Sequence, residues 1–365
     1  MAGLLKRVSV IGSGNWGSAI AKIVGMNVLE NPDMFDPEVY MYVYEEVVNG
    51  RKLTDIINTE HENVKYLPDI QIPANVVAVP DVIKASSNAD ILIFVLPHQF
   101  VFDTCVKMKS AIKKAALGVS LIKGFILSEG EGIQLVSRVI SQTLDINTAV
   151  LMGANLATEV ASEMFCETTI AVEKPEYDSI LKRLFETSYF RCKIIRNVSA
   201  VEACGALKNV VGIGAGIVDG LGFGDNTKAA VIRLGLMEMM KFTKVFLEYL
   251  DLRPPEDNSI FFESCGIADL VATCHGGRNR LLGEAVVKSM KKRGMPGVDI
   301  RLLEKEILRG QSFQGPLIAK EIYSYLKDKN MVDQFPLLVA VHRICSREVD
   351  PRNFIDCLRE HPEHL

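Results

Sequence analysis

Lys208 places a basic side chain in an apolar helical setting. It lies in the stretch Val-Glu-Ala-Cys-Gly-Ala-Leu-Lys-Asn-Val-Val-Gly (201–212), which is apolar on nearly every side and therefore predicts a buried helix. Its helical neighbours include Gly205 and Gly212, which leave room for a ligand beside the ammonium group. Because burial lowers the pKa of a lysine toward neutrality, Lys208 is a candidate general acid–base. The alternative is a lysine that pairs with a structural carboxylate.

Four further residues could act on the same ligand as Lys208. Asp269 and Thr273 lie four residues apart in an apolar stretch, so they share one face of a predicted helix, where a carboxylate could orient and tune a lysine ammonium. Lys123 ends an apolar strand at the sheet edge where ligands bind, and it could hold an anionic substrate. His98 follows another strand and could do chemistry, the alternative being an ordinary hydrogen-bonded loop residue.

Arg278 opens a predicted helix directly after Gly276-Gly277. An arginine there combines planar hydrogen-bond donors with the positive end of the helix dipole, which suits a phosphate group. Arg280 is a weaker candidate for the same role. The alternative is that both are solvated basic residues in a first helical turn.

A glycine-rich turn at 12–17 must position any cofactor. It follows the strand-like Val8-Ser-Val-Ile11 and precedes a helix-forming stretch, as a dinucleotide-binding Gly-x-Gly-x-x-Gly turn requires. The first glycine allows the tight turn, the second lets the backbone approach a pyrophosphate, and the third lets the helix pack on the strand. An ordinary glycine-rich turn is the alternative. The residues assigned to the cofactor here are Gly12, Ser13, Gly14, Asn15, Trp16 and Gly17.

The residue after the second predicted strand (39–44) bears on the choice of cofactor. Glu45 could accept hydrogen bonds from the adenosine ribose and would repel a 2′-phosphate, which favours NAD over NADP; a solvated turn carboxylate is the alternative. Since Glu45 lies further from Gly17 than the usual spacing of about 20 residues, residues 26–38 are expected to form an extended connection.

Strand-like and helical patterns alternate through the first half of the chain. Such alternation predicts an α/β fold with a doubly wound, largely parallel Rossmann-type sheet. A Ser-x-x-Glu capping box at Ser199 predicts a helix start, after which the chain is expected to be all-helical. We therefore predict an NAD-binding domain at 1–196, a helical substrate-binding and catalytic domain at 197–365, and a catalytic cleft between them.

Composition excludes several classes of protein. The 365 residues are 48% hydrophobic with a net charge of −4, so nothing indicates a nucleic-acid partner. The eight cysteines are scattered, which favours reduced thiols in an intracellular, cytoplasmic protein over disulfides or a metal site. The N-terminus does not read as a signal peptide, and the apolar run 210–218 is too short to span a membrane.

Several ordered motifs together resemble the eukaryotic-type cytosolic NAD-dependent glycerol-3-phosphate dehydrogenases. The resemblance runs from Val8 to His364 and is more specific than the glycine turn alone. Its motifs are Gly-Ser-Gly-Asn-Trp-Gly (12–17), His-Glu-Asn-Val-Lys-Tyr-Leu-Pro (61–68), Pro-His-Gln-Phe (97–100), Ser-Leu-Ile-Lys-Gly (120–124), Met-Gly-Ala-Asn (152–155), Cys-Gly-Ala-Leu-Lys-Asn-Val (204–210), Gly-Asp-Asn-Thr-Lys-Ala-Ala-Val-Ile-Arg (224–233), Cys-Gly-Ile-Ala-Asp-Leu (265–270) and Gly-Gly-Arg-Asn-Arg (276–280).

The resemblance implies reversible hydride transfer between sn-glycerol 3-phosphate and NAD, giving dihydroxyacetone phosphate and NADH. That reaction links glycolysis to glycerolipid precursor supply and to cytosolic NADH reoxidation. Family members are cytoplasmic homodimers without a membrane or nucleic-acid partner. The alternatives are another β-hydroxy dehydrogenase, of the hydroxyacyl or phosphogluconate type, and a catalytically silent NAD-sensing protein.

The resemblance also implies a role for each matching residue. Lys208 resembles the catalytic acid–base, with Lys123 and Asp269 in the catalytic set. The positions that resemble substrate contacts are Lys123, Asn209, Thr273, Arg278 and Asn279. Besides the glycine turn, the positions that resemble cofactor contacts are Tyr44, Phe100, Ala157, Arg278 and Gln314. Phe100 could equally pack in the core.

This sequence departs from the family pattern at four places, one of which is a longer stretch around Pro254-Pro255. Tyr44 stands where the family often has Phe. Ser312 stands where it often has a lysine, which puts a contact to the cofactor phosphates in doubt. After Lys123-Gly124 the usual Asp-Glu-Gly is replaced by Phe-Ile-Leu, at 125–127.

Overall fold

The structure, a computed structural model, describes residues 5–128, 132–293, 299–308 and 313–364. The chain divides into two compact units. The first comprises Met1–Ile122 and Leu135–Val198, and the second comprises Lys123–Gln134 and Ser199–Leu365. The division therefore falls close to the expected boundary at 196/197, but the segment Lys123–Gln134 belongs to the second unit.

The regular elements alternate in the first part of the chain and are helical in the second. The strands are β1 (Lys6–Ile11), β2 (Phe35–Tyr42), β3 (Val47–Val48), β4 (Arg51–Lys52), β5 (Glu62–Asn63), β6 (Leu67–Gln71), β7 (Val76–Val79), β8 (Ile91–Phe94), β9 (Leu117–Ser120), β10 (Phe125–Ser128), β11 (Gly132–Leu135), β12 (Asn147–Met152), β13 (Cys166–Val172) and β14 (Phe190–Ile195). The helices are α1 (Asn15–Glu30), α2 (Leu53–Glu60), α3 (Val82–Ser86), α4 (Val101–Met108), α5 (Val136–Leu144), α6 (Ala157–Ala161), α7 (Asp178–Phe185), α8 (Val198–Leu221), α9 (Asp225–Tyr249), α10 (Asp269–Gly276), α11 (Arg278–Arg293), α12 (Ile300–Leu308), α13 (Gly315–Asp328), α14 (Pro336–Cys345) and α15 (Phe354–Arg359).

The first unit is built on one large sheet. Within the described residues it has eight strands in the order β14-β13-β12-β9-β8-β1-β2-β7. Neighbouring strands are parallel except for the antiparallel pair β12 and β13, so the predicted largely parallel Rossmann-type sheet is confirmed. The strands from β7 to β12 follow the 3-2-1-4-5-6 order of dinucleotide-binding folds. That order reverses between β1 and β8, and ligands of such sheets bind beyond the carboxyl ends of the strands at this point.

The extended connection expected over 26–38 is wrong. Helix α1 continues to Glu30, and β2 begins at Phe35. The helix continues because Asn27 is buried and its amide donates to the carbonyls of Leu184 and Glu186, at 2.9 and 3.2 Å. These partners lie more than 150 residues away in sequence, so no local pattern reveals them. The long spacing to Glu45 is absorbed by the longer helix and by a bulge in β2 beside Lys6.

The second unit is organised around α8. This 24-residue helix has a stretch with a mean hydropathy of 1.4, long and apolar enough to cross a membrane, but every residue of that stretch is buried inside the protein, as in a core helix. The predicted buried helix is thus confirmed. The capping box is wrong, because the helix starts at Val198 and Ser199 lies inside its first turn. The amide of Val198 donates to Glu173 Oε1 at 3.0 Å.

A hairpin of β10 and β11 adds a small sheet to this otherwise helical unit. Its second strand, β11, ends at Leu135, directly before α5 begins at Val136. Phe125 opens the hairpin, is fully buried, and packs against Phe242 and Phe246 of α9, with ring centroids 6.3 and 5.2 Å apart. The aromatic contact explains why the segment that begins at Lys123 belongs to the second unit.

The eight cysteines all lie within the described ranges, and none of them forms a disulfide there. Burial raises the pKa of Cys105 and of Cys345 to about 12, so these thiols are protonated at neutral pH.

Candidate active site

Four polar side chains of the second unit form one hydrogen-bonded cluster. Lys208 Nζ donates to Asp269 Oδ1 at 2.7 Å and to Thr273 Oγ1 at 2.6 Å. Lys123 Nζ donates to the other carboxylate oxygen, Asp269 Oδ2, at 2.6 Å. Lys208 is 7% exposed and Asp269 is 2% exposed, so the carboxylate is shared by two lysines out of bulk water. The structure thus brings together residues that the sequence places on three separate segments.

Local backbone features set the positions of this cluster. Asp269 follows a single π-helical turn, Ser264–Ala268, of the kind often found beside functional residues. Helix α10 then approaches α8 so closely that a Cβ at Gly212 would lie 2.6 Å from the Thr273 methyl group. The space beside Lys208 that the sequence assigns to a ligand is therefore filled at Gly212 by Thr273. Because Gly212 has no side chain, α10 can come close enough for the Thr273 hydroxyl to reach the Lys208 ammonium.

The environment of Lys208 lowers its pKa from 10.5 to about 8. Burial is the largest cause, because it disfavours the charged form. The Asp269 carboxylate opposes this shift, and the neighbouring Lys123 ammonium adds to it. Lys208 can therefore exchange a proton near neutral pH, as an acid–base catalyst must.

Two asparagines continue the polar surface beside the cluster. Asn279 Nδ2 donates to Asn209 Oδ1 at 2.9 Å, and the amide of Gly315 donates to Asn279 Oδ1 at 3.1 Å. Close packing of α8 and α11 makes this possible, since a Cβ at Gly216 would lie 1.9 Å from the Arg280 carbonyl oxygen. The two buried amides hold each other in fixed orientations.

The two arginines that open α11 are in different environments. Arg280 forms ion pairs with Asp219 at 2.6 Å and with Glu284 at 3.0 Å, so it is part of a structural network. Arg278 is the first residue of the helix and is exposed. Arg280 therefore belongs to a structural ion-pair network, and a phosphate contact by Arg278 stays a prediction.

The glycine turn of the first unit lies at the carboxyl end of β1 and leads into α1. Gly12 has φ +127°, and a Cβ there would lie 2.8 Å from the Val95 carbonyl oxygen; at Gly17 a Cβ would lie 2.4 Å from the Gly12 carbonyl oxygen. Gly14 differs, with φ −64° and, among the described residues other than its chain neighbours, no atom within 4 Å of such a Cβ. The protein itself therefore requires Gly12 and Gly17, whereas Gly14 opens onto space beside the first amides of α1. That arrangement fits a bound pyrophosphate.

Two family models match the chain in succession. Residues 7–178 match the N-terminal part of the NAD-dependent glycerol-3-phosphate dehydrogenases, and residues 197–356 match the C-terminal part. The chain belongs to this family. A curated relative named cytoplasmic glycerol-3-phosphate dehydrogenase [NAD(+)], from Drosophila ezoana, is 54% identical over 358 residues, which cover 98% of each chain.

Solved structures of glycerol-3-phosphate dehydrogenases agree with this assignment. The enzyme from Saccharomyces cerevisiae matches with a TM-score of 0.85 and 41% identity over 98% of this chain and 100% of its own. The protein from Dunaliella salina matches with a TM-score of 0.91 and 39% identity over 97% of this chain. This chain spans 60% of that longer protein.

The remaining positions that the sequence predicts as cofactor contacts are spread over the two units. Tyr44, Phe100 and Ala157 follow β2, β8 and β12, so all three stand at the ligand edge of the sheet. Tyr44 is 72% exposed and Phe100 is 54% exposed, so Phe100 is not a core residue. Gln314 precedes α13 in the second unit, and Ser312 lies outside the described residues.

The acidic pair after β2 is already engaged within the first unit of this family member. Glu45 accepts hydrogen bonds from the amide and the hydroxyl of Thr54, at 3.2 and 2.6 Å, at the start of α2. Glu46 accepts from the Tyr66 hydroxyl at 2.6 Å and pairs with Lys65. Glu45 is therefore not a merely solvated turn carboxylate, and its role as an acceptor for the ribose hydroxyls stays a prediction.

His98 is 4% exposed and lies in the short 3-10 turn before α4, so it is an interior residue rather than an open loop histidine. Within the described parts of the chain, no group of three or more histidine, cysteine or acidic side chains could hold a metal ion.

The sequence did not predict that Phe125 anchors its segment to the second unit. An apolar residue directly after Lys123-Gly124 was the available signal.

Substitution at two glycines of the turn should separate cofactor binding from folding. We expect Gly14→Ala to fold normally and to bind NADH at least about tenfold more weakly, because the new methyl group enters the phosphate space. We expect Gly17→Ala to lose stability, because its Cβ meets the Gly12 carbonyl. Fluorescence titration with NADH and thermal unfolding measure the two effects. Unchanged NADH affinity in Gly14→Ala would remove the turn from the cofactor site.

Proposed function

We propose that this protein catalyses reversible hydride transfer between sn-glycerol 3-phosphate and NAD, giving dihydroxyacetone phosphate and NADH. The observation that carries the proposal is the buried cluster in which Asp269 holds Lys208 and Lys123. The proposal includes a cytoplasmic location and a homodimer. It also assigns 1–196 to NAD binding and 197–365, together with the hairpin segment, to substrate binding and catalysis.

Lys208 exchanges the proton of the reaction. In oxidation the neutral amine accepts the proton of the C2 hydroxyl, while the hydride leaves C2. In reduction the ammonium returns that proton to the carbonyl oxygen. NAD, held by the turn from Gly12 to Gly17, supplies the acceptor for the hydride.

The neighbours of Lys208 orient the ammonium and bind the substrate. Asp269 and Thr273 accept two of its hydrogens, which fixes the direction of the third. Lys123 bonds the same carboxylate and adds positive charge for an anionic substrate. Arg278 binds the substrate phosphate, and the paired amides of Asn209 and Asn279 contribute polar contacts beside it.

A spectrophotometric assay tests this function directly. Purified protein with dihydroxyacetone phosphate should oxidise NADH, and with glycerol 3-phosphate it should reduce NAD. Binding of NADH without turnover of either substrate would instead indicate a catalytically silent NAD-binding protein. Turnover of other β-hydroxy substrates in place of these two would contradict the substrate assignment.

The rate of oxidation should depend on pH through Lys208. Since the base must be neutral and its pKa is about 8, kcat/KM for glycerol 3-phosphate should rise about tenfold per pH unit below that value and level off above it. Lys123→Gln removes a neighbouring positive charge, so the pKa of Lys208 rises and the inflection moves to higher pH. Profiles of both proteins measure this, and an inflection that stays in place would exclude Lys123 as a cause.

A further inference from the structure

The segment 61–68 packs against the cofactor turn within the first unit. It contains β5 and the start of β6, and Leu67, which is 1% exposed, packs with Ala19 of α1 and with Ala157 and Ala161 of α6. The segment is one of the motifs from the sequence to which the proposed reaction assigns no role. The side chain of Asn63 and the backbone carbonyl of Tyr66 make the hydrogen bonds that connect it to the turn and to the start of α1.

Asn63 makes the central connection. Its side chain is fully buried, and its amide nitrogen donates to the Ser13 carbonyl at 2.8 Å and to Ser18 Oγ at 2.9 Å. Its amide oxygen accepts from the Tyr66 backbone at 3.2 Å, which fixes the orientation of the group. Ser13 lies inside the turn and Ser18 lies in the first turn of α1. The Asn63 side chain therefore connects the glycine turn to the start of the helix.

A second amide bonds in the opposite direction. Asn15, the first residue of α1, donates from its side chain to the Tyr66 carbonyl at 3.0 Å. The Ser18 hydroxyl also donates to the Ser13 carbonyl, at 3.3 Å. The turn and the segment 61–68 are therefore joined by reciprocal bonds, which fix the turn whether or not a ligand is present.

The Ser13 carbonyl is the group whose direction matters most for an anion. A peptide unit that rotated at this point would turn a carbonyl oxygen, in place of amide hydrogens, toward the pyrophosphate. Donation from Asn63 and Ser18 holds that oxygen on the protein side of the turn. The first amides of α1 then remain available for a phosphate, because Gly14 has no side chain to cap them.

We propose that Asn63 is a positioning residue of the cofactor site, which holds the turn 12–17 in the conformation that binds the pyrophosphate of NAD. The inference rests on the proposed cofactor site. It predicts that loss of the Asn63 amide weakens binding of any ligand that carries the pyrophosphate, while the chemistry in the second unit stays unchanged.

Asn27 provides a matched control on the same helix. It is 3% exposed and, like Asn63, donates its amide to two partners, the carbonyls of Leu184 and Glu186. It lies near the other end of α1, away from the turn. A substitution at Asn27 therefore removes an equally buried amide and similar stability without touching the phosphate corner.

The test measures binding of ADP-ribose by calorimetry and steady-state kinetics with NADH. For Asn63→Ala we expect the Kd for ADP-ribose and the KM for NADH to rise on the order of tenfold. The kcat at saturating NADH and the KM for dihydroxyacetone phosphate should stay within about twofold, since neither reports cofactor affinity. Asn27→Ala should lower the unfolding temperature without changing the Kd for ADP-ribose.

Asn63→Asp adds a signature that a purely structural role does not produce. The ionised carboxylate would face the Ser13 carbonyl oxygen and weaken binding, but once protonated it can donate to that oxygen again. Affinity for ADP-ribose should therefore recover as the pH falls in this variant, and not in the wild type. Ser18→Ala, a small change that retains the helix, should weaken binding less than Asn63→Ala does.

The outcomes distinguish the two levels of the proposal. If the wild type fails to bind ADP-ribose, the cofactor site itself is wrong. If the wild type binds and the Asn63 and Ser18 variants bind equally well, only the role of Asn63 is wrong. Equal weakening in the Asn27 and Asn63 variants would likewise overturn it, because the loss would then follow stability rather than the turn.

Discussion

Lys208→Met should retain the fold and lose at least about a hundredfold in kcat. Acid–base catalysis by a positioned side chain contributes about 10²–10⁴-fold, and stabilisation of a developing alkoxide by the ammonium would add to that loss. Methionine nearly matches the lysine stem and is apolar, so it removes a buried charge without leaving a cavity. The measurement is kcat for dihydroxyacetone phosphate reduction and thermal unfolding on the same preparation.

The structure indicates why this variant should fold. An orphaned buried carboxylate would cost about 3–5 kcal/mol. Here Asp269 keeps its second partner, Lys123, whose side chain is 22% exposed, so the charge remains paired. A folded variant that keeps more than about a tenth of its kcat would contradict the acid–base role.

Lys228→Met is the matched control. Lys228 is largely buried and bonds Asp219 at 2.7 Å, and Asp219 is also held by Arg280. The same geometry, one carboxylate shared by two cations, thus occurs outside the proposed catalytic cluster. We expect Lys228→Met to match Lys208→Met in stability and the wild type in kcat. A similar loss of kcat in both variants would indicate that removing any buried ion pair of the second unit lowers activity, and it would not support a specific role for Lys208.

Arg278→Ala should raise the KM for dihydroxyacetone phosphate by about 30- to 150-fold. The variant loses a charged hydrogen bond to the phosphate, which is worth on the order of 2–3 kcal/mol. Its Kd for NADH should change far less. Turnover of unphosphorylated dihydroxyacetone should stay as it is in the wild type, since that substrate has no group for Arg278 to bind.

Arg280→Ala separates the phosphate contact from general effects on α11. Arg280 lies two residues further along the helix and is tied to Asp219 and Glu284, so its removal should lower stability and leave the KM for the phosphorylated substrate near the wild-type value. If Arg278→Ala leaves that KM unchanged, Arg278 is a solvated residue of the first turn and the phosphate is bound elsewhere.

Sequence reasoning predicted the features that depend on local pattern. The glycine turn, the parallel sheet and the buried helix around Lys208 each follow from residue types within a short window, and each is present. The helix face shared by Asp269 and Thr273 is also local, and both side chains reach Lys208. Spacing alone could place them on one face but could not say which lysine they face.

The features that the sequence did not predict depend on contacts that residue types and spacing do not reveal. Lys123 and Asp269 are 146 residues apart in sequence, and nothing local indicates that they share a bond. The length of α1 depends on the carbonyls of Leu184 and Glu186 at the end of α7. Glu45 is oriented by Thr54, which lies nine residues further along the chain. The prediction of free space beside Gly212 was wrong for the same reason. A glycine indicates that another group packs closely against the helix, but the sequence does not show that this group is Thr273.

The position of the hairpin has a consequence for the order in which the protein is made. During synthesis Phe125 leaves the ribosome roughly 120 residues before Phe242, which at about 5–20 residues per second is a delay on the order of 6–24 s. The hairpin is not part of the sheet of the first unit, so this sheet can form during the interval. Phe125 remains without Phe242 and Phe246 until α9 has been synthesised. Lys123, at the base of the hairpin, reaches Asp269 only after a further stretch of chain has emerged. The order of synthesis therefore allows the nascent chain to complete its cofactor-binding fold before the acid–base cluster can form.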